Sequence, residues 1–525
     1  MEGISDFSRF MTKISLVPKP VSLVEEGGCF VLHRGRTISG GSWFPDEAEI
    51  LAETLRGVTG FALPFADDSG ADISLAYNEQ ISAGAYHLHV GPDRVRIEAS
   101  TTDGAFSGGQ TLLQLFPPAV FGRGPRAGFE WIAPCCRIDD APRFRWRGMM
   151  LDSARHFQDP AWIKKWIDLL AQHKMNVFHW HLTDHQGWRI EIVRHPRLTH
   201  TGSQRRATVR GHYFADAGED GRAHGGYYSQ DTIREIVAYA ARRHVTIVPE
   251  IDMPGHCQAA LAAYPEWGVS PDPQEVWTQW GGHPALFNAE PQTMAALKDV
   301  LREVMDLFPS KHIHIGGDEA ASEEWGSTEK SRACLASRGA KTPREMYGIF
   351  IREMAEFLAG HGRTLVGWDE IIDVHPLPGA ALMSWRGHLS GILAAQRGQE
   401  VVMTPSHATY FDYYQSPSYE SEPLGNRDVD VGFLSLENVH GFEPMPLQLS
   451  EAEQKFVLGI QGQLWTEYMP DTAALEYMAF PRACALAEVA WSSRRGRSFP
   501  EFRERLALHL KRLDCQGVRY RPLDR

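Results

Sequence analysis

The sequence predicts a (β/α)8 TIM barrel carrying most of the chain, preceded by a small α+β accessory domain. Three observations predict it. After Pro142, about eight strand-like runs alternate with helix-like segments. Polar and aromatic residues recur where each of those runs stops. Before Pro142 the chain follows a different and smaller pattern, so we divide it into an accessory domain, residues 1–140, and a barrel with a C-terminal helix, residues 141–525. At 525 residues the chain is longer than one ordinary domain, which this division accommodates.

The first domain reads in order as follows. Residues 46–55 form an amphipathic helix with Ile50, Leu51 and Leu55 on one side. Residues 73–75 are a strand fragment. Tyr86, Leu88 and Val90, then Val95, Ile97 and Ala99, alternate at period two around Gly91-Pro92-Asp93, a turn signal, and so predict two antiparallel strands. A second helix spans 104–115. Residues 117–142 shift to Gly, Pro and Arg with little periodicity and read as a domain connection.

The barrel strands are predicted at 146–151, 176–182, 245–251, 312–315, 364–368, 380–385, 401–403 and 457–464. Asp159-Pro160 supplies an N-cap and a proline at the first helical position, opening a helix with Ile163, Ile167 and Leu170 inward. Ile233, Ile236, Val237 and Ala240 mark another helix, and 294–307 and 344–358 two more. The segment 183–229 is longer than an ordinary connection, which assigns it to function, while 404–456 is long, rich in Tyr and Glu, and hard to register. A packed core accounts for the strand interiors, but not for the residues at the strand ends. These are Asp152 and Arg155, His181 and Asp184, Asp252 and His256, Asp318 and Glu319, Trp368 and Asp369, Trp385 and Arg386, Tyr410 and Asp412, and Trp465 and Glu467. In a barrel those ends converge on one face.

Composition narrows the partners. A formal net charge of -13 argues against nucleic acid or an anionic membrane and favours a neutral small-molecule substrate. Glu2, Asp6, Arg9 and Lys13 interrupt every early apolar run, so no secretory signal is expected. Seven scattered cysteines, an odd number, are expected as free thiols in a cytoplasmic protein. Oligomeric state is unreadable.

The chemistry centres on His312-Ile313-His314-Ile315-Gly316-Gly317-Asp318-Glu319. If the run continues as a strand, the two acids point to opposite sides. Of fifteen Trp, only Trp43 and Trp131 precede Pro142, so the rings that stack on sugar faces belong to the barrel. Carboxylates among indoles, with no phosphate-cradling loop, point to glycoside hydrolysis. Burial and a like-charged neighbour are expected to raise the pKa of a leaving-group acid in such a pair.

The motif at 314–319, together with Leu151-Asp152-Ser153-Ala154-Arg155-His156-Phe157, His179-Trp180-His181-Leu182-Thr183-Asp184, Pro249-Glu250-Ile251-Asp252-Met253-Pro254-Gly255-His256 and Leu464-Trp465-Thr466-Glu467, resembles the family 20 β-N-acetylhexosaminidases. The N-terminal domain, ending in Gly109-Gln110-Thr111-Leu112, also resembles that family's accessory domain. The resemblance implies exo-acting, retaining, substrate-assisted removal of a terminal N-acetylhexosamine, in which the 2-acetamido carbonyl attacks the anomeric carbon and forms an oxazolinium intermediate. It implies Glu319 as general acid and then base, an ionised Asp318 holding the acetamido N–H, and Tyr410 on the acetamido oxygen. It further implies Trp368, Trp385 and Trp465 as pocket walls, Arg155, Asp412 and Glu467 as binders of ring hydroxyls, and Asp184 with His256 as supports for the acid. No metal or cofactor is implied. The family often has a second acid after the position of Asp184; here it is His185, expected at the rim or behind the first layer.

Two rivals follow from the same residues. A metal-dependent hydrolase would use His179 and His181, with His312, His314 and Asp252 completing the ligands. A non-catalytic amino-sugar-binding protein would keep the pocket but lose the acid, whereas Glu319 is present.

Overall fold

The computed structural model describes residues 13–523 apart from 69, 127, 213, 216, 271, 273, 375–376 and 428–431; residues 1–12, read above for a signal sequence, lie outside the described residues. The chain forms two compact units. One comprises Met1–Arg145, Ala171–Lys174 and Phe480–Arg525; the other comprises Trp146–Leu170 and Met175–Ala479.

The first unit is built on a six-stranded sheet of β1 (Ser22–Leu32), β2 (Ile38–Ser39), β3 (Ile73–Tyr77), β4 (Tyr86–Val90), β5 (Val95–Ala99) and β6 (Trp131–Asp140), in the order β1-β6-β4-β5-β3-β2. β4 and β5 pair antiparallel with Tyr86 opposite Ala99 and Val90 opposite Val95, as the alternation predicts. Helices α1 (Pro45–Thr59) and α2 (Thr102–Leu115) contribute Leu51, Leu55, Val58, Leu112 and Leu113 to one core with Leu75, Leu88 and Ile97. α2 lies close to the sheet at Gly108, where a Cβ would stand 2.6 Å from Ile97 Cγ2.

The segment 117–142 is not simply a connection. Its second half is β6, the second strand of the sheet, paired with both β1 and β4. Pro134, Cys135 and Cys136 interrupt its alternation, which is why periodicity passes over it. Its last residue is a buried hub. Asp140 accepts from Lys174 Nζ at 2.8 Å, from Tyr86 Oη at 2.6 Å and from Trp491 Nε1 at 2.9 Å.

The second unit is a closed parallel barrel of eight strands: β7 (Trp146–Asp152), β8 (Val177–His181), β9 (Thr246–Glu250), β10 (His312–His314), β11 (Thr364–Trp368), β12 (Ala381–Ser384), β13 (Glu400–Met403) and β14 (Val457–Leu464). Each predicted strand is present. Their apolar runs meet in a core that includes Val177, Val248, Val366, Ala381, Met383 and Val402. The expected cap also forms, with Asp159 Oδ1 accepting from the N–H groups of Ala161 and Trp162 at 2.9 and 3.0 Å before the helix Pro160–Gln172. Among the described residues, no helix is long and apolar enough to cross a membrane.

Strand register sets the chemistry of the upper barrel. Asp152 on β7 is the partner of His181 on β8, His181 of Glu250 on β9, and Glu250 of His314 on β10. Four polar residues thus stand at one level, at the carboxyl ends where barrel sites are built.

Candidate active site

The strand β10 ends before the acids. Gly316 and Gly317 take φ values of 68° and 93°, and Glu319 itself takes 45°, so Asp318 and Glu319 sit in a left-handed turn and not on an extended strand. Their divergence comes from that turn, which corrects the strand-alternation argument. Gly316 is required for space as well as for φ, because a Cβ there would stand 1.9 Å from Asp252 Oδ1. Tyr347 Oη donates to the carbonyl of Gly317 at 2.6 Å and closes the turn from outside. A non-glycine residue at Glu319's φ costs about 1–2 kcal/mol, a strain characteristic of functional turns.

His256, also at positive φ (48°), faces the two acids. Its Nε2 lies 3.5 Å from Glu319 Oε2 and 3.7 Å from Asp318 Oδ2, while its Nδ1 lies 3.1 Å from Asp184 Oδ1. The side chain of Glu319 is 54% exposed and that of Asp318 13%, so the first reaches into the open pocket and the second lies in its floor.

The charge states differ from the expectation drawn from adjacency. Asp318 is pushed up to about 8, chiefly by burial and then by Glu370, Glu319 and Glu250, against the opposing pull of His256. Glu319 is held below the usual range, first by its hydrogen bond to His256, with burial opposing. In the free enzyme it is therefore Asp318 that holds a proton more readily, the reverse of the order expected. The reason is spatial: His256 serves Glu319, whereas Asp318 is ringed by acids. Asp252, also raised by burial and by Asp318, adds to that ring.

Arg155 is fixed on the other side. Its Nη2 pairs with Asp184 Oδ2 at 2.9 Å, its Nη1 lies 3.2 Å from Asp152 Oδ2 and 3.6 Å from Glu467 Oε1, and its Nε donates to Gln186 Oε1 at 2.9 Å. The guanidinium carbon also lies 5.1 Å from the centre of the Trp465 ring. Arg155 and Glu467 are thus brought together beside an indole, a combination suited to sugar hydroxyls.

The aromatic wall is continuous. Trp368 lies 5.8 Å from Trp465, Trp465 6.4 Å from Tyr410, and Tyr410 6.3 Å from Trp385 in a stacked orientation. Trp368 is only 1% exposed and forms floor, not side wall; its Nε1 donates to Glu250 Oε1 at 2.9 Å. Trp385 donates to Glu370 Oε2 at 3.1 Å. Burial, then Asp318 and Asp412, raise the Tyr410 phenol well above its ordinary value. Asp412, itself buried, accepts from Asn426 Nδ2 at 3.0 Å. All eleven residues singled out by sequence therefore belong to one barrel face. His185 is not at the rim but behind the first layer: it is 1% exposed, its ring lies tilted with its centre 4.8 Å from that of His256, and its Nδ1 accepts from Gln258 N–H at 3.3 Å.

Three contributors escaped the sequence reading. Glu370 directly follows the strand-end pair Trp368 and Asp369 but is not singled out with them, and Tyr347 lies within the predicted helix 344–358. Glu250 stood at a predicted strand end, but its role needs the register described above. That register also bears on the metal rival: His179, His181 and His314 do gather around Glu250, whereas His312, at the opposite end of β10, packs its ring 5.3 Å from Trp146.

A parallel barrel that carries paired acids, an arginine clamp and an indole-lined pocket at its carboxyl ends has the build of a glycoside hydrolase. Residues 144–494 match the family model described as glycosyl hydrolase family 20, catalytic domain, and residues 13–141 match that family's domain 2; the chain belongs to glycosyl hydrolase family 20. It is 36% identical over 520 residues to a β-hexosaminidase of Porphyromonas gingivalis, covering 97% of this chain and 64% of that one. It is 31% identical to a β-N-acetylhexosaminidase of Cellulomonas fimi over 97% of this chain and 96% of its relative. Among solved structures, the exo-β-N-acetylglucosaminidase of Vibrio harveyi in complex with N-acetylglucosamine superposes with a TM-score of 0.86 at 32% identity, over 97% of this chain and 78% of that one.

Proposed function

We propose that the chain is an exo-acting, retaining β-N-acetylhexosaminidase that removes terminal non-reducing N-acetylhexosamine from small oligosaccharides by substrate-assisted catalysis. The observation that carries this reading is that Asp318 and Glu319 both approach the same nitrogen of His256, at 3.7 and 3.5 Å. They are consecutive residues of one turn beside that imidazole. A two-carboxylate retaining mechanism instead places its acids about 5–5.5 Å apart across the scissile bond. The nucleophile here is supplied by the substrate's acetamide.

In this scheme Glu319 protonates the leaving oxygen and later activates water. The acetamide carbonyl oxygen, hydrogen-bonded by Tyr410 and cradled by the indoles, attacks the anomeric carbon. Asp318 accepts the acetamide N–H, and that bond favours its anion, which stabilises the charge developing on the oxazolinium. The proton that Asp318 retains in the empty pocket is thus released as substrate seats, while Glu319 must gain one. Arg155, Asp412 and Glu467 bind ring hydroxyls.

The decisive test compares rates on aryl glycosides of GlcNAc, GalNAc and glucose, with a thiazoline inhibitor. Turnover of the acetamido sugars, a glucoside rate near background and tight inhibition are expected. A glucoside cleaved as fast as the GlcNAc compound would overturn substrate assistance. The cytoplasm is our proposed location, supported by seven free cysteines; recovery of the native protein in a secreted fraction would contradict it.

A further inference from the structure

We infer that Glu250 and His181, which lie beneath the pocket and touch no substrate, are the inner half of a charge chain running Glu250, His181, Asp184, His256, Glu319, and that this inner half sets the strength of Glu319 as an acid. The inference rests on the assignment of Glu319 as proton donor.

Every imidazole nitrogen along the chain faces a carboxylate. His181 places Nδ1 2.5 Å from Glu250 Oε2 and Nε2 3.0 Å from Asp184 Oδ2. His256 continues the sequence with Nδ1 3.1 Å from Asp184 Oδ1 and Nε2 3.5 Å from Glu319 Oε2. An imidazole with an acceptor at both nitrogens carries two protons. The chain therefore alternates in sign from Glu250 to His256 and presents a cation to Glu319.

The inner members are sealed. Side chains of Glu250 and His181 are 0% exposed and that of Asp184 1%, so their mutual attraction is weakly screened by water. Strand register puts Glu250 and His181 side by side, and Glu250 is further held by Trp368 Nε1 at 2.9 Å, with His314 Nδ1 at 2.9 Å and His179 Nε2 at 3.1 Å. The other acids acting on the two histidines are Asp152, Asp252 and Asp318; Arg155 pairs with Asp184 between them, and the ring of His185 lies tilted against His256. With Glu250 neutral, His181 no longer needs its second proton. Asp184 then has a neutral donor in place of a cation, and the positive potential that stabilises ionised Glu319 weakens. In the substrate complex, where Glu319 has gained its proton, a weaker acid lowers kcat for leaving groups that need protonation and spares those that do not. Glu250 and His181 are thus positioning residues, separate from the pair that meets Glu319 directly.

The test compares hydrolysis of a methylumbelliferyl and a dinitrophenyl N-acetyl-β-glucosaminide by wild type, Glu250→Gln and His181→Gln. Dinitrophenolate departs without a proton. The methylumbelliferyl rate is expected to fall by roughly ten- to a hundred-fold in each variant, and the dinitrophenyl rate by less than about threefold. Because both rates come from one preparation, their ratio does not depend on how much protein has folded. Rates that fall together, or do not fall, overturn the inference. Neutron diffraction of the wild type supplies an independent measurement that needs no variant: deuterons on both Nδ1 and Nε2 of His181 are expected, and a single deuteron overturns the chain. A wild type that cleaves neither glycoside would instead defeat the glycosidase reading and leave the deuteron count to judge the chain.

Discussion

Glu319 combines an open position, a strained backbone and a facing imidazole, His256, and each bears on what its replacement does. Glu319→Gln keeps the shape and removes the proton. We expect turnover of an aryl N-acetyl-β-glucosaminide to fall on the order of 10²–10⁴-fold while a thiazoline inhibitor binds nearly as before, measured as kcat and Ki. Unchanged turnover would take Glu319 out of the mechanism. Asp318→Asn and Tyr410→Phe act on the acetamide and are expected to slow N-acetylated substrates by on the order of 10²–10³-fold, with little effect on any residual glucoside rate; kcat/KM on the two sugars checks this. At this scale the sequence was a good guide to which side chains gather at the barrel's carboxyl ends and a poor guide to their protons. Adjacency in sequence says that two acids repel. It does not say that His256 reaches toward Glu319 or that Glu370 and Asp252 close around Asp318.

The turn that ends β10 couples local backbone to chemistry. Gly316→Ala introduces a methyl at φ 68° where Asp252 Oδ1 already stands. We expect a loss of about 2 kcal/mol or more in a urea melt, with activity falling alongside because Asp252 and the Asp318 turn must move apart. A variant as stable and active as the parent would show that the turn is not constrained as described. The barrel strands were legible because each is a short apolar run with an abrupt change of chemistry at its end. β1 and β6 were not. β1 is broken by a bulge between Glu25 and Cys29, and β6 has a proline at its fourth position, so neither shows the alternation that β4 and β5 display. The segment 183–229 likewise hid its order. Its first residues, Thr183–Asp184, pair antiparallel with Gly187–Trp188 in a tight hairpin that delivers Asp184 and His185 to the site.

The pH dependence of stability belongs to the whole molecule. Burial holds His156 and His179 down to about 4, from an ordinary value of 6.5. Below 6.5 the unfolded chain therefore binds protons that the native state refuses, and stability falls as pH drops from 6.5 through 4. Glu250 and Asp184, held low by their histidine and arginine partners despite burial, lose their contributions only further down, as pH falls below the ordinary carboxylate range toward their folded values. His181 and His256 act oppositely: their carboxylate partners raise them well above 6.5, so their contribution is complete below 6.5 and is lost as pH rises through the folded values. A melting temperature that declines steadily between pH 6.5 and 4 is expected by scanning fluorimetry, and a flat profile there would contradict it. Such bookkeeping is invisible in sequence, where all these histidines look alike. The hydrogen bond from Trp368 to Glu250 has one more consequence, for anyone who would redesign this enzyme. The indole that shapes the pocket floor is anchored on the carboxylate that begins the charge chain, so the size of the sugar cavity and the reactivity of the acid are wired to one atom group. Trimming Trp368 to admit a bulkier sugar will retune the catalyst as well, and a second compensating change near Glu250 is the place to look for the missing activity.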